Sequence, residues 1–299
     1  MLQIIKFYKF FFVLSGLLVA ASLVMLFAWG LNLGIDFRGG SLLELRFDQL
    51  PDTVQVTQNL TDSGFGEVSV QPAGEDHVII KTQSFNSEDD RSKLLELLKN
   101  DYGNFEELRF DSIGPIIGAE LRAKAYWQIV LVILGILLYI AYAFRRVSTG
   151  RSDKKITSWK MSLAAIVALI HDLLIVLGLF AFLGKFFHVE IDSLFITALL
   201  TVLGFSVHDT IVVFDRVREN LQRGSGETFE EILNYSVNQT LTRSINTSVT
   251  VLLVLLALAF FGGGSIFYFV IALLAGVTVG TYSSIYIASA LLLIWNKAK

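Results

Sequence analysis

A polytopic α-helical membrane protein with six transmembrane helices and an extracytoplasmic α+β (ferredoxin-like) domain between helices 1 and 2 is predicted by three features of this sequence. Of its 299 residues, 54% are hydrophobic, a composition too apolar for an ordinary water-soluble domain. The apolar residues gather in six runs, at 10–29, 127–144, 161–183, 194–214, 245–261 and 266–295, and runs of about 20 residues cross the roughly 30 Å of bilayer hydrocarbon. The charges segregate as well: residues 36–124 hold 17 acidic and 9 basic side chains, whereas bases prevail elsewhere. The chain divides accordingly into 1–35, the N-terminus and first membrane helix; 36–124, the aqueous domain; and 125–299, membrane helices 2–6 with their loops.

The first run follows Lys6 and Lys9, the polarity of a secretory signal. It is longer than the 7 to 15 apolar residues usual in a signal and continues into Trp29-Gly30-Leu31-Asn32, so it is expected to stay as a membrane helix. Next comes Leu33-Gly34-Ile35-Asp36-Phe37-Arg38-Gly39-Gly40, where three glycines in seven residues predict a tight turn at the membrane surface. Asp36 is expected there in cap or turn chemistry, with substrate or ion binding as the competing reading.

Residues 41–47 alternate with Leu43, Leu45 and Phe47 on one face and predict a strand. A helix over 53–61 follows Pro51, and short strands at 67–71 and 78–82 flank a turn at Pro72-Ala-Gly. Ser87 and Asp90 predict a capping-box start for a helix to Tyr102, closed by Gly103, and 105–113 supplies the last strand. The order β-α-β-β-α-β predicts a four-stranded antiparallel sheet with both helices on one face. No cluster in this domain looks catalytic. The return, Ile113-Gly114-Pro115-Ile116-Ile117-Gly118, is rich in glycine too, so Gly34, Asp36, Gly39, Gly40, Gly114, Pro115 and Gly118 are expected to form hinges.

Arg145, Arg146, Arg151, Lys154, Lys155 and Lys160 make one basic loop; Arg216, Arg218 and Arg223 make another; and Lys6, Lys9, Lys297 and Lys299 flank the termini. The positive-inside rule places all of these in the cytoplasm, with both termini, and the acidic domain outside. Between the last two basic segments, 227–239 is expected as a surface helix leading into the fifth run. The absence of cysteine excludes a disulfide framework and thiolate metal sites. No cofactor, metal or nucleic-acid partner is expected.

Chemistry is expected in the fourth run, where Leu203-Gly-Phe-Ser-Val-His208-Asp209 carries a carboxylate into apolar company. A charge within a bilayer costs at least a few kcal/mol, so it faces a bundle interior, finds a partner and marks an ion or proton route. Asp209 is therefore the lead proton-coupling residue, with His208 beside it. The competing reading puts Asp209 in the hydrated interface, only ~8 Å of helix rise from the charged cluster at Asp215. In the fifth run Arg243, Asn246 or Thr247, and Thr250 line one face at helical spacing. Arg243 stands at a depth matching Asp209, which allows a pair; the alternative is an arginine snorkelling to the interface. His171-Asp172 in the third run places a further carboxylate deep in the membrane, though its echo of His208-Asp209 is a coincidence of antiparallel helices rather than a repeat. In the sixth run Gly276, Gly280 and Ser284 form a small-residue stripe suited to close helix packing.

Four segments together resemble the SecF family of bacterial protein-export membrane proteins, relatives of the RND exporters. They are Gly34-Ile-Asp36-Phe-Arg-Gly39-Gly40, Gly114-Pro115-x-x-Gly118-x-Glu120-Leu-Arg122, His208-Asp209-Thr210-x-Val-Val-Phe-Asp215-Arg216-x-Arg218-Glu219-Asn220, and Arg243-Ser244-x-x-Thr247-Ser248. The resemblance covers essentially the whole chain, with Ser244 where the family more usually has Thr. It implies an accessory subunit of the Sec translocase in the bacterial inner membrane. Such a subunit pairs with SecD, cooperates with the SecYEG channel, the SecA ATPase and YajC, and uses the proton motive force to draw exported polypeptide across. Asp209 and Arg243 match the family's positions for proton movement. Some relatives fuse SecD and SecF into two six-helix halves, of which one half is present here. Two other classes share the helices: an RND-like proton-coupled exporter of small solutes, and an intramembrane aspartic protease with Asp172 and Asp209 as its dyad.

Overall fold

The computed structural model of the chain describes residues 3–66, 68–72, 76–85, 87–145, 158–224 and 228–297. Arg146, Arg151, Lys154, Lys155 and Lys299 of the basic segments, the start of the second expected strand at Glu67, most of the turn after Pro72, and Ser225 to Glu227 lie outside them.

A 3-10 turn, Ile5–Phe7, leads into helix α1 at Tyr8–Trp29, which Gly30 ends with a positive φ. A short helix α2, Ile35–Arg38, opens the aqueous domain. Strand β1 at Gly40–Phe47, helix α3 at Thr53–Asp62, strands β2 at Ser69–Pro72 and β3 at His77–Thr82, helix α4 at Glu88–Tyr102 and strand β4 at Phe105–Ile113 follow. The sheet has the order β2-β3-β1-β4, with every neighbouring pair antiparallel, as the β-α-β-β-α-β pattern requires. Leu43, Leu45 and Phe47 point into its core with Val56 and Leu60 of α3 and Leu94 and Leu98 of α4. Asp52 caps α3 through Val54 N. Ser87 takes the N-cap position of α4, but its side chain makes no cap bond; only its carbonyl accepts, from Asp90 N–H at 3.2 Å.

Among the described residues, six helices are long and apolar enough to span a membrane. After α1 they are α5 at Pro115–Ala143, α6 at Ser158–Phe187, α7 at Ser193–Arg223, α8 at Phe229–Phe261, and α9 at Gly264–Ser283 continuing through a π-helical segment, Ser284–Ala288, into α10 at Ser289–Lys297. α6 and α7 are the most buried spans, whereas α1, α5 and α8 expose most of their surface.

The fifth span departs from expectation, since α8 is one continuous helix rather than a surface helix followed by a separate span. Thr228 and Glu231 form a reciprocal capping box at its start. From there Phe229, Ile232, Leu233, Ser236, Val237, Thr240, Ser244 and Ser248 are buried, and that three-to-four spacing keeps a single face against the bundle. The Gly276 and Gly280 stripe does pack closely, on α7. A Cβ on Gly276 would lie 2.1 Å from Val202 Cγ2, and one on Gly280 would lie 2.9 Å from Ser206 Cβ. Ser284 does more than pack, because its hydroxyl meets the Thr210 hydroxyl at 2.8 Å.

The two glycine-rich junctions lie against each other. A Cβ on Gly39 would come within 2.8 Å of Pro115 Cα, and one on Gly118 within 2.9 Å of Gly39 N. Gly34 N–H donates to Ile191 O and Ile191 N–H to Asn32 O, both at 2.8 Å. Asp36 Oδ2 accepts from Ser193 N–H at 2.7 Å, so it caps α7, a helix far along the chain. Lys81 of the sheet domain pairs with Glu190 of the α6–α7 loop at 2.9 Å, both side chains largely buried. Any motion of the sheet domain against the bundle must pass through this joint.

Candidate functional site

Asp209 sits on the buried face of α7, and two side chains decide its surroundings. The Ser244 hydroxyl of α8 donates to its Oδ1 at 2.7 Å, while its Oδ2 is buried with no hydrogen-bond partner among the described residues. Behind Ser244 the row continues: Ser248 Oγ donates to Ser244 O at 2.9 Å and lies 2.6 Å from Thr281 Oγ1 on α9. α7, α8 and α9 thus meet around one carboxylate. A half-satisfied buried carboxylate is costly, and it is the kind of group that a proton or a moving cation relieves.

Arg243 is the sequence neighbour of Ser244, yet it points elsewhere. It is exposed, and no hydrogen bond or ion pair joins it to Asp209; it acts on the carboxylate only through its field. Its side chain lines a cavity of about 440 Å³ with Asp215, Arg216, Arg218 and Thr240, at the end of the bundle away from the sheet domain. Asn246, Thr247 and Thr250 are exposed beside it, and the two threonine hydroxyls turn back onto their own helix carbonyls. His208 is exposed on α7, as are Gly204 and Thr201 one and two turns away. The polar stripe expected on α8 is therefore real but faces outward, and α7 adds polar groups of its own.

Beyond Asp209 the charged end of α7 is tied to α8. Arg216 Nε donates to Gln239 Oε1 at 2.5 Å, and Asn220 Nδ2 donates to the same oxygen at 3.0 Å and to Ser236 Oγ at 2.8 Å. Arg218 pairs with Asp215 at 2.9 Å and Arg223 with Glu219 at 2.6 Å. The bonds of Arg216 and Asn220 to Gln239 and Ser236 cross from α7 to α8 beyond Asp209 and Ser244, whereas the two ion pairs lie within α7.

Asp172 lies on α6, fully buried. Its Oδ2 receives hydroxyls from Ser206 of α7 at 2.6 Å and Ser283 of α9 at 2.8 Å, and its Oδ1 is 2.9 Å from His171 Nδ1. Asp172 and Asp209 share no hydrogen-bond partner among the described residues, and no hydrogen bond joins them. Sequence reasoning missed Ser206, Ser244 and Ser283 as partners of these carboxylates, and Ser248 as the next hydroxyl behind Ser244.

Residues 93–298 match the family model described as protein export membrane protein SecD/SecF, C-terminal, and residues 24–49 match the SecD/SecF GG motif. The chain is 46% identical to the protein translocase subunit SecF of Thermobaculum terrenum, over 99% of this chain and 94% of that one. To the protein translocase subunit SecF of Anaerolinea thermophila it is 40% identical over 100% and 96%. Its structure is similar to the crystal structure of SecDF, a translocon-associated membrane protein from Thermus thermophilus, with TM-score 0.85 and 34% identity. That match covers 99% of this chain and 38% of the other, so this chain spans well under half of SecDF. A super-membrane-facing form of SecDF matches over the same 99% with TM-score 0.69.

Proposed function

Since the chain belongs to the SecD/SecF family of protein-export membrane proteins, we propose that it is the SecF subunit of a Sec translocase, working with SecD to draw exported polypeptide across the membrane at the expense of the proton gradient. The observation that carries the need for a companion is the outward polar face of the bundle. Thr201 and His208 on α7 and Arg243, Asn246 and Thr247 on α8 are exposed on membrane-spanning helices. Polar and charged groups at that depth belong against protein rather than lipid. A second set of helices would cover them, and the 38% share of SecDF that this chain matches leaves room for one.

Asp209 is the proton carrier in this reading, and Arg243 the charge whose approach or withdrawal favours the ionised or the protonated carboxyl. Relay of that change to the sheet domain would run along α7, whose start is held by Asp36 and Asp192. Two packings of the helices, differently favoured by the proton, are all that the coupling needs. The positive-inside rule supports an inner-membrane orientation with both termini cytoplasmic and the sheet domain outside. SecYEG, SecA and YajC enter as the channel and accessory partners of that assembly.

Copurification in mild detergent tests the reading, with the full chain as bait in a bacterium deleted for its own SecF. A stoichiometric six-helix SecD companion and restored export are expected. A solitary monomer that fails to restore export contradicts the assignment.

A further inference from the structure

His171, Asp172 and Asp209 are the only acidic, basic or histidine residues buried among the described residues. The coupling scheme above uses one of them. The other two sit together near the middle of α6, the most buried span, and a fully buried carboxylate there is expensive enough to require a reason. A purely structural polar knot would be cheaper with an amide or another hydroxyl in its place.

We propose that His171 and Asp172 form a second proton-holding site within the membrane, distinct from Asp209, whose protonation state sets the packing of α6 against α7 and α9 through Ser206 and Ser283. The hydroxyl of Ser283 makes both states tolerable. It has two acceptors within reach, Asp172 Oδ2 at 2.8 Å and Gly280 O at 3.1 Å, and a single hydrogen to give. With Asp172 ionised, Ser283 and Ser206 donate to Oδ2 and His171 Nδ1–H donates to Oδ1. When a proton binds Oδ2, Ser283 rotates to donate to Gly280 O and its oxygen accepts the new O–H. No donor is stranded in either state. His171 has a second place for a proton as well: its Nε2 is buried with no hydrogen-bond partner among the described residues. A proton arriving there leaves an N–H without an acceptor, so uptake at that nitrogen favours a shift of the surrounding helices.

The site also lies where two helices can respond. Ser283 ends α9 and Ser284 opens the π-helical segment, so the consecutive hydroxyls reach different helices, Ser283 to Asp172 on α6 and Ser284 to Thr210 and Ser206 O on α7. Single π turns inside α-helices recur at functional sites. Ser206 stands three residues before Asp209 on the same helix, which ties the packing of the second site to the position of the first. Of the elements on α6, α1 brings Ser15 and Ser22, α7 brings Ser206, and α9 brings Ser283 and Tyr282. The Tyr282 phenol is a further titratable group there, and Tyr286 of the π-helical segment, which also packs on α6, stands beside it with the rings 5.5 Å apart; the Tyr282 ring lies 6.3 Å from that of His171, and its hydroxyl is engaged with Ser15 and Phe11 O.

The inference rests on Asp209 being the coupling carboxylate, and the test separates the two. Infrared difference spectra between acid and neutral pH would be recorded on the full chain in lipid vesicles, for wild type, D172N, H171Q and D209N. Against the absorption of the exposed carboxyls and of Asp192, two protonated-carboxyl bands are expected to be identified by their loss, one absent from D172N and the other from D209N. H171Q should move the midpoint of the Asp172 band by about one pH unit, a tenfold change in proton affinity, and leave the other in place. Absence of an Asp172 band, or a band that H171Q does not move, overturns the second site whatever Asp209 does; if D172N does not fold, H171Q alone still decides. In export assays H171Q should shift the pH profile of uncoupler-sensitive export by a similar amount. An unshifted profile, in a preparation where D209N abolishes that export, defeats the second site alone. Full activity of D209N defeats the coupling reading beneath it.

Discussion

Ser244 holds Asp209 from across the α7–α8 hairpin, its hydroxyl 2.7 Å from Oδ1, while the adjacent Arg243 looks outward. Two consecutive residues of one helix thus serve the same carboxylate differently: one fixes its direction, and the other is free to change its field. Replacing Ser244 by Ala leaves both oxygens of Asp209 unpaired, and a buried acceptor so stranded costs roughly 1–3 kcal/mol. S244A should lower the thermal stability of the purified chain and slow proton-dependent export, whereas S244T, which keeps the hydroxyl, should behave as wild type. Thermal scans and export rates on the two variants side by side would check this; equal loss in both points to crowding rather than to the hydrogen bond.

Helix packing predicts a contrast between two glycines. Gly276 faces Val202 so closely that any side chain displaces α7, and overpacking of that kind costs about 1–3 kcal/mol. Gly204, on the outer face of α7, has open space within this chain. G276L should abolish folding or assembly as seen by size-exclusion chromatography in detergent. G204L should leave the isolated chain folded but weaken capture of its companion, because the proposed partner helices occupy that space. A G204L chain that copurifies its companion at wild-type yield would place the interface elsewhere.

At the joint with the sheet domain, burial pushes the Asp192 carboxyl above the ordinary carboxylate range; its bond from Phe195 N–H opposes the shift and the nearby charge of Asp36 adds to it. A carboxyl whose folded pKa is raised binds its proton more tightly in the folded state. Its contribution to stability is present below the unfolded value, about 3.9, and is lost as pH rises through the raised folded value. Asn caps a helix as well as Asp does, so D192N should match wild type near pH 4 and exceed it at neutral pH in thermal unfolding. A variant less stable than wild type at neutral pH would show the charged cap to be favourable there.

Much of this architecture can be read from residue order. Run lengths place the six spans, and Leu43, Leu45 and Phe47 announce the buried face of the first strand. A carboxylate in an apolar run marks Asp209 without any tertiary information. The hydroxyls that hold the carboxylates are invisible at that level, because serine in a membrane helix serves close packing as readily as hydrogen bonding; only the meeting of α6, α7, α8 and α9 distinguishes Ser206, Ser244 and Ser283. His171-Asp172 passes for a coincidence until α6 is seen at the centre of the bundle. The polar stretch before Arg243 looks like a surface helix because its buried face, at Ile232, Leu233, Ser236 and Val237, packs inside the bundle as one turn after another of a single helix.

The charge relationship between Asp209 and Arg243 carries the central claim. D209N keeps the size and hydrogen bonding of the side chain but cannot titrate, and R243Q removes the charge that R243K would keep. Export into inverted membrane vesicles, measured with and without an uncoupler, separates the proton-dependent part from the ATP-driven part. D209N should assemble normally and lose the uncoupler-sensitive part while ATP-driven export persists, and R243Q should be impaired in the same part, whereas R243K, which keeps the field, should retain most of it. A D209N chain that retains full uncoupler-sensitive export would contradict the account and make Asp209 a structural residue.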